Sequence, residues 1–408
     1  MPSSIKLVNH SFIFKRKSLN KLFGSCQCHL SVYMKCIICI LILYYLNILI
    51  GFNSSIWSEK SFENEYYLRM IHIDVTKIEE NVEQVLGLPI NILPNKFLIK
   101  NEYLCGRSLD PETLIHPHLI ILVKSNCENF QERQAIRMTW AQKNRLLKTN
   151  IQLAFVLGTN AHNTSVEDES AKYGDIIQID KIDYYYYSSY KMIMMLRWIN
   201  DYCTSKSRRS PHIDLRKYVL FVDDDYYVDL DSLLLYIYSI DEDKEMTTYE
   251  RRTFLTGELN EKSRPRRFIN DRWYVSINDY PYDMYPNYIS TGCFLMTRYN
   301  ARLYYIASKY IRLFYFDHVY MGLLSYSMST NLIANNQLFS TSLSLNHKLN
   351  NNQLRFLYQW KSIFNNQIYF NSTKNPICFR GYRTQKLIDI WNQIHQTNLT
   401  FTFDSSIK

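Results

Sequence analysis

Three consecutive carboxylates, Asp223, Asp224 and Asp225, close the run Lys217-Tyr218-Val219-Leu220-Phe221-Val222 and lead into Tyr226-Tyr227-Val228-Asp229. The run before them reads as a buried strand. Like charges side by side repel, so a fold keeps such a cluster where a cation offsets the repulsion. Hard divalent ions such as Mg²⁺ and Mn²⁺ prefer oxygen ligands. An Asp-x-Asp pair at the carboxyl end of a parallel strand can hold one such ion against a diphosphate. Asp223 and Asp225 are therefore candidate metal ligands, Asp225 the stronger of the two, and Asp224 is a candidate contact to the bound molecule. Three acids alone would read more simply as a solvated acidic turn. The apolar strand before them and the stretches described below reverse that order.

The elements needed to position such a cluster can be read along the chain. Leu119 to Val123 is a short apolar run, as expected of a strand buried on both faces. Glu132 to Lys148 reads as a helix, Ile151 to Leu157 as a second strand closed by Gly158, and Tyr190 to Tyr202 as a second helix. Strands alternating with helices predict an α/β fold with a mainly parallel central sheet. In such sheets ligands bind beyond the carboxyl ends of the strands, where the three aspartates lie. Residues 53–117, with turns at Pro89 and Pro94, read as a stem. The domain spans 118–330, and a tail rich in Asn, Gln and Ser covers 331–408, where little function is legible.

The 408 residues are 47% hydrophobic and 21% charged, an ordinary globular composition with room for one large or two modest domains. The net charge of +9 is spread over short clusters such as Lys15-Arg16-Lys17 and Arg208-Arg209. Such runs are too short to track a phosphate backbone, so nucleic acid is not an expected partner. Residues 32–52 form an apolar span of bilayer length with Lys35 at its rim. Basic residues precede it and Glu59, Glu63 and Glu65 follow it, which predicts residues 1–31 in the cytosol and the rest in a lumen. The long basic lead and the lack of a small-residue cleavage site favour an uncleaved anchor over a signal peptide. Cys26, Cys28, Cys36 and Cys39 are candidates for palmitoylation. Cys105, Cys127, Cys203, Cys293 and Cys378 fall on the luminal side, where disulfides form; five is odd, and the pairing is open. Asn53, Asn163, Asn371 and Asn398 begin luminal sequons.

Several stretches, in order, resemble the beta-1,3-glycosyltransferase family, which includes beta-1,3-galactosyltransferases, beta-1,3-N-acetylglucosaminyltransferases and Brainiac. Arg133-x-x-Ile136-Arg137-x-Thr139-Trp140 is similar to its Arg-x-x-Ile-Arg-x-Thr-Trp stretch. Phe155 to Gly158, Glu169 with Tyr173-x-Asp175-Ile176-Ile177, Asp180-x-x-Asp183, Lys191, Trp198 and Cys203 follow at the family's spacing. After the three aspartates come Arg272-Trp273-Tyr274-Val275-Ser276, Tyr280-Pro281, Tyr285-Pro286-x-Tyr288-Ile289-Ser290-x-Gly292 and Asp317-x-Val319-Tyr320-x-Gly322. The resemblance covers about residues 118–325.

The resemblance implies a GT-A fold and an inverting, Mn²⁺- or Mg²⁺-dependent hexosyltransferase that uses a UDP-sugar donor and a glycan acceptor. Its setting is the Golgi membrane, in single-pass type II orientation. Galactose in β1,3 linkage is the expected sugar. Leu313-Phe314-x-Phe316-Asp317, similar to Brainiac-like segments, keeps N-acetylglucosamine as the alternative. Arg133, Arg137 and Lys191 become candidates for the nucleotide or its diphosphate, since fixed cations suit phosphate oxygens. Trp273 could stack on a sugar, Gly292 would let the backbone approach the donor, and Trp140 and Trp198 read as core. The chain departs from the family at the expected base. Where relatives carry Glu-Asp-Val or Asp-Asp-Val, it has Asp317-His318-Val319. Three readings follow: His318 is the base, Asp317 takes over, or the chain is a silent luminal binding protein. Tyr187 also stands where many relatives have Asn. The oligomeric state is not legible.

Overall fold

The computed structural model describes residues 32–46, 59–62, 89–91, 96–105, 117–160, 166–184, 187–203, 217–340, 376–395 and 397. The chain divides into two compact units, Met1–Phe62 with Arg264–Asp283, and Glu63–Ser263 with Met284–Lys408.

The larger unit carries all the named strands. In chain order they are β1 Phe97–Ile99, β2 Leu119–Lys124, β3 Ile151–Thr159, β4 Ile176–Ile182, β5 Tyr218–Asp223, β6 Tyr226–Val228, β7 Leu255–Asn260, β8 Tyr288–Thr297, β9 Ile333–Ala334, β10 Phe339–Ser340 and β11 Cys378–Arg380. The main sheet has the order β1-β4-β3-β2-β5-β8-β7-β9. Its centre, β4-β3-β2-β5, is parallel, and β1 and β8 pair antiparallel on either side. The expected mainly parallel α/β sheet is therefore present. A second sheet, β10-β11-β6, follows the aspartates.

The central strands are buried because their sequences are apolar on both faces. In β2 and β5 every residue is buried until the last, which is charged: Lys124 in one, Asp223 in the other. The two strands are in register, so Lys124 lies opposite Asp223 at the carboxyl edge. Each Ile, Leu or Val buried here contributes about 1.5–3 kcal/mol, which holds that edge rigidly. Phe221 of β5 stacks on Phe294 of β8, ring centres 4.8 Å apart.

The helix expected from Glu132 to Lys148 is two helices, α1 Phe130–Met138 and α2 Lys143–Lys148. The Thr139 hydroxyl donates back to the Ala135 carbonyl at 2.7 Å, and the fully buried Trp140 indole donates to the Tyr226 carbonyl at 3.2 Å. Seating that indole turns the chain out of the helix. Further helices are α3 Glu167–Tyr173, α4 Ser188–Trp198, α5 Leu230–Glu242, α6 Thr248–Arg252, α7 Arg298–Ser308, α8 Asp317–Ser327 and α9 Gln385–His395. Two stretches lie deeper in the domain than the sequence implied. Residues of the expected stem supply the edge strand β1, and residues of the expected C-terminal extension supply β9, β10, β11 and α9. Leu387, Ile388 and Trp391 of α9 are core residues.

In the smaller unit, Arg267 pairs with Glu59 at 2.8 Å and donates to the carbonyls of Val275, Ser276, Tyr280 and Tyr282. Residues 32–46 are helical. Among the described residues no helix is long and apolar enough to cross a membrane. Residues 1–31, 47–52 and the sequon asparagines Asn53, Asn163, Asn371 and Asn398 lie outside the described residues.

Candidate active site

Lys124 is the hub of the carboxyl edge. Its ammonium contacts Asp223 at 2.8 Å and Asp317, the first residue of α8, at 3.1 Å. Burial would lower the pKa of this amine, but the two carboxylates outweigh it and raise the value. The two acids fare differently. Burial pushes Asp223 up to about 6 against the pull of Lys124. Asp317 is held well below the ordinary carboxylate range, because Lys124 and His318 together overcome its burial. Asp317 is thus the firmly ionised member of the pair.

Asp317 in turn faces His318. The Asp317 Oδ1 accepts the His318 backbone N–H at 3.0 Å and lies 3.5 Å from Nδ1 of the ring. The imidazole stacks on Phe316, 5.7 Å between centres, and lies 5.1 Å from the Tyr288 ring. Gly322 makes this approach possible. A Cβ there would come within 2.7 Å of the Tyr288 Cβ and 3.0 Å of the Asn287 carbonyl, so a side chain would push α8 off β8.

Asp224 is buried and accepts from Ser125 Oγ at 2.7 Å and Asn129 Nδ2 at 2.8 Å. It ties the loop after β2 to the loop after β5, with both donors on Oδ2. Asp225 is also buried, and its two oxygens have unlike surroundings. Oδ2 accepts from Arg380 Nε at 3.1 Å and has Arg383 Nη2 at 3.8 Å, whereas Oδ1 is buried with no hydrogen-bond partner.

The cations expected at the phosphates are engaged elsewhere. Arg133 is fully buried; it clasps Glu169 through two bonds of 2.8 and 2.6 Å and donates to Ser125 Oγ and the carbonyls of Asn126 and Cys127. Arg137 pairs with Asp175 and Glu169, with its guanidinium 4.0 Å from the centre of the Tyr173 ring. Lys191 pairs with Asp183 at 2.5 Å and donates to the Ser125 carbonyl at 2.6 Å. All three are ion-paired within the domain. Arg133 and Lys191 instead brace the 125–129 loop that carries the partners of Asp224, which makes them positioning residues. The acids that hold them stand in the same sequence stretches, and that was the available signal.

Gly292 lies against a phenol. A Cβ there would come within 2.2 Å of the Tyr226 hydroxyl, so in this structure the glycine makes room for Tyr226. Trp273 lies in the smaller unit, 42% exposed, with Arg272 5.6 Å from its ring centre. Trp140 and Trp198 are core, as expected. Of the five cysteines after the apolar span, Cys105 pairs with Cys203 and Cys293 with Cys378, and Cys127 is a buried free thiol. Sequence reading missed Lys124, visible only as a charge closing an apolar strand, and Arg380 and Arg383, which lie in the tail.

Whether these residues suit a divalent ion is decided at Asp225. Among the described residues no group of three or more His, Cys, Asp and Glu side chains is placed to hold a metal. Mg²⁺-type sites on phosphate substrates need only one or two carboxylates, with the substrate and water supplying the rest. The buried, partnerless Oδ1 of Asp225 fits that role. Asp223 fits it poorly, because Lys124 already balances its charge.

A family model described as Galactosyltransferase matches residues 131–335, from α1 to the strand after α8. The chain belongs to the galactosyltransferase family. Among its relatives, the beta-1,3-galactosyltransferase brn of Drosophila melanogaster is 31% identical over 51% of this chain and 59% of its own length. Human beta-1,3-galactosyltransferase 1 is 31% identical over 62% of this chain and 71% of its own length. Human beta-1,3-galactosyltransferase 5 is 30% identical over 51% and 62%. A solved galactosyltransferase, LgtC with donor and acceptor sugar analogues, covers 70% of this chain and 98% of its own at 10% identity. Its TM-score of 0.32 is too low to support a conclusion. This galactosyltransferase-family chain is therefore a glycosyltransferase by descent.

Proposed function

We propose that the chain transfers galactose from UDP-galactose, in β1,3 linkage and with inversion, to a hydroxyl of a glycoprotein or glycolipid glycan. The observation that carries this reading is the pairing of an ionised Asp317 with His318 on the same edge as Asp225. A base for the acceptor and an unpartnered carboxylate oxygen for the donor's counter-ion are the two groups such a transfer requires.

The steps follow from the side chains. Asp317 lies beside Nδ1 of His318, and the imidazole takes the acceptor hydroxyl's proton. Asp317 stays anionic and stabilises the imidazolium that forms, and Lys124 keeps Asp317 in place. Stacking against Phe316 and Tyr288 fixes the ring plane. The freed oxygen attacks the anomeric carbon from the face opposite the departing UDP, which inverts the linkage. Asp225 Oδ1 would hold Mn²⁺ or Mg²⁺, which neutralises the leaving diphosphate when bound. The Asp317–His318 pair is also what favours a working enzyme over the silent binding protein, since a binding protein has no use for a supported base.

Residues 32–52 anchor the protein in the Golgi membrane with its catalytic domain luminal. The basic lead before that span supports this placement, as do the two disulfides, which need an oxidising compartment. The test is turnover with UDP-galactose and UDP-N-acetylglucosamine in Mn²⁺ buffer. Product from UDP-N-acetylglucosamine alone would contradict the galactose assignment and leave the transferase in place.

A further inference from the structure

The segment from β11 into α9 lies beyond the stretch matched by the family model, yet it returns to the acidic cluster. We infer that Arg380 and Arg383 bind the diphosphate of the nucleoside diphosphate donor. This inference rests on the donor reading above and adds the residues that receive the phosphates.

Three observations carry it. First, the segment is fixed. β11 pairs antiparallel with β6, Arg380 opposite Tyr226, and Cys378 is bridged to Cys293. The backbone N–H groups of Gly381 and Tyr382 both donate to the Asp225 carbonyl, at 2.9 and 3.1 Å, and Gly381 takes a φ of +104° to allow this turn.

Second, the guanidiniums keep donors to spare. Their side chains are 53% and 58% exposed. Among the described residues Arg380 uses only Nε, on Asp225, and Arg383 approaches the same oxygen at 3.8 Å without a hydrogen bond. Two cations against one carboxylate leave positive charge and several N–H groups facing solvent. The planar fork of such groups matches phosphate oxygens.

Third, the other basic residues near this edge are occupied. Lys124 serves Asp223 and Asp317, Arg133 serves Glu169, Arg137 serves Asp175 and Glu169, and Lys191 serves Asp183. A diphosphate at Asp225 would therefore meet Arg380 and Arg383 as the described cations there with N–H groups to spare.

The test is calorimetric titration of the full-length chain in detergent with UDP and with uridine, each with and without Mn²⁺, for wild type, Arg380→Gln, Arg383→Gln and the double variant. Each single variant is expected to raise the Kd for UDP about tenfold. Uridine affinity should stay unchanged in every variant, and the thermal midpoint should stay unchanged in Arg383→Gln, which removes no hydrogen bond. Arg380→Lys should recover only part of the loss, since an ammonium lacks the fork. Variants that bind UDP as tightly as wild type would overturn the inference, as would equal losses for UDP and uridine. A folded wild-type chain that binds no UDP in Mn²⁺ would instead overturn the donor reading, and the inference with it.

Discussion

At Asp225 one oxygen is held by Arg380 and the other is buried without a partner, an asymmetry that costs stability unless a cation completes it. Asp225→Ala is expected to abolish turnover while leaving the stability within about 1 kcal/mol of wild type, since the change removes an unsatisfied group. Retained turnover in metal-free buffer would contradict the role. His318 and Asp317 act as a pair. His318→Ala should lower kcat by about 10²-fold or more, whereas His318→Asp restores the family's acid at that position and should recover activity. Unchanged kcat in His318→Ala would remove the imidazole from the mechanism. The identities of Asp225 and His318 were legible as motif residues. The cations around them were not, because Lys124 meets Asp317 across 193 positions and Arg380 meets Asp225 across 155.

The loop after β2 is where elements meet. Arg133 of α1, Glu169 of α3 and Lys191 of α4 brace it, and it carries Ser125 and Asn129 to Asp224. The sequence identified these basic residues as functional, and their types and spacing did reflect a shared task. It could not show that Glu169, Asp175 and Asp183 consume them, because burial decides whether a cation faces a ligand or an acid. Burial alone would raise the Glu169 carboxyl, yet the bonds and charges of Arg133 and Arg137 hold it below the ordinary value. A lowered carboxyl stabilises the fold fully above the ordinary glutamate pKa, and that stability is lost as pH falls through the lowered one. Glu169→Gln should therefore cost about 3–5 kcal/mol at neutral pH by leaving the buried Arg133 guanidinium without a carboxylate, and should flatten the loss of stability below about pH 4. Denaturant midpoints across pH 3–7 check this; parallel curves for wild type and variant would contradict it.

Over the whole molecule, the alternation of apolar runs and helices was enough to read a mainly parallel sheet with the aspartates at its carboxyl edge. The ends of the domain were not legible. β1 is only three residues long and β11 likewise, too short for periodicity to register, and both depend on distant partners and disulfides. The Cys293–Cys378 bridge closes 85 residues and fastens β11 beside the site. Cys293→Ser should lower stability by about 2–5 kcal/mol and weaken UDP binding as Arg380 loosens; a variant with wild-type stability and affinity would detach the tail from the site. The most direct measurement is turnover by the purified full-length chain in detergent, with Mn²⁺, UDP-galactose and acceptors ending in N-acetylglucosamine, N-acetylgalactosamine or galactose. Transfer of galactose to form a β1,3 linkage, lost in Asp225→Ala and His318→Ala, is the predicted result. A folded chain that binds UDP yet transfers no sugar to any acceptor would contradict it.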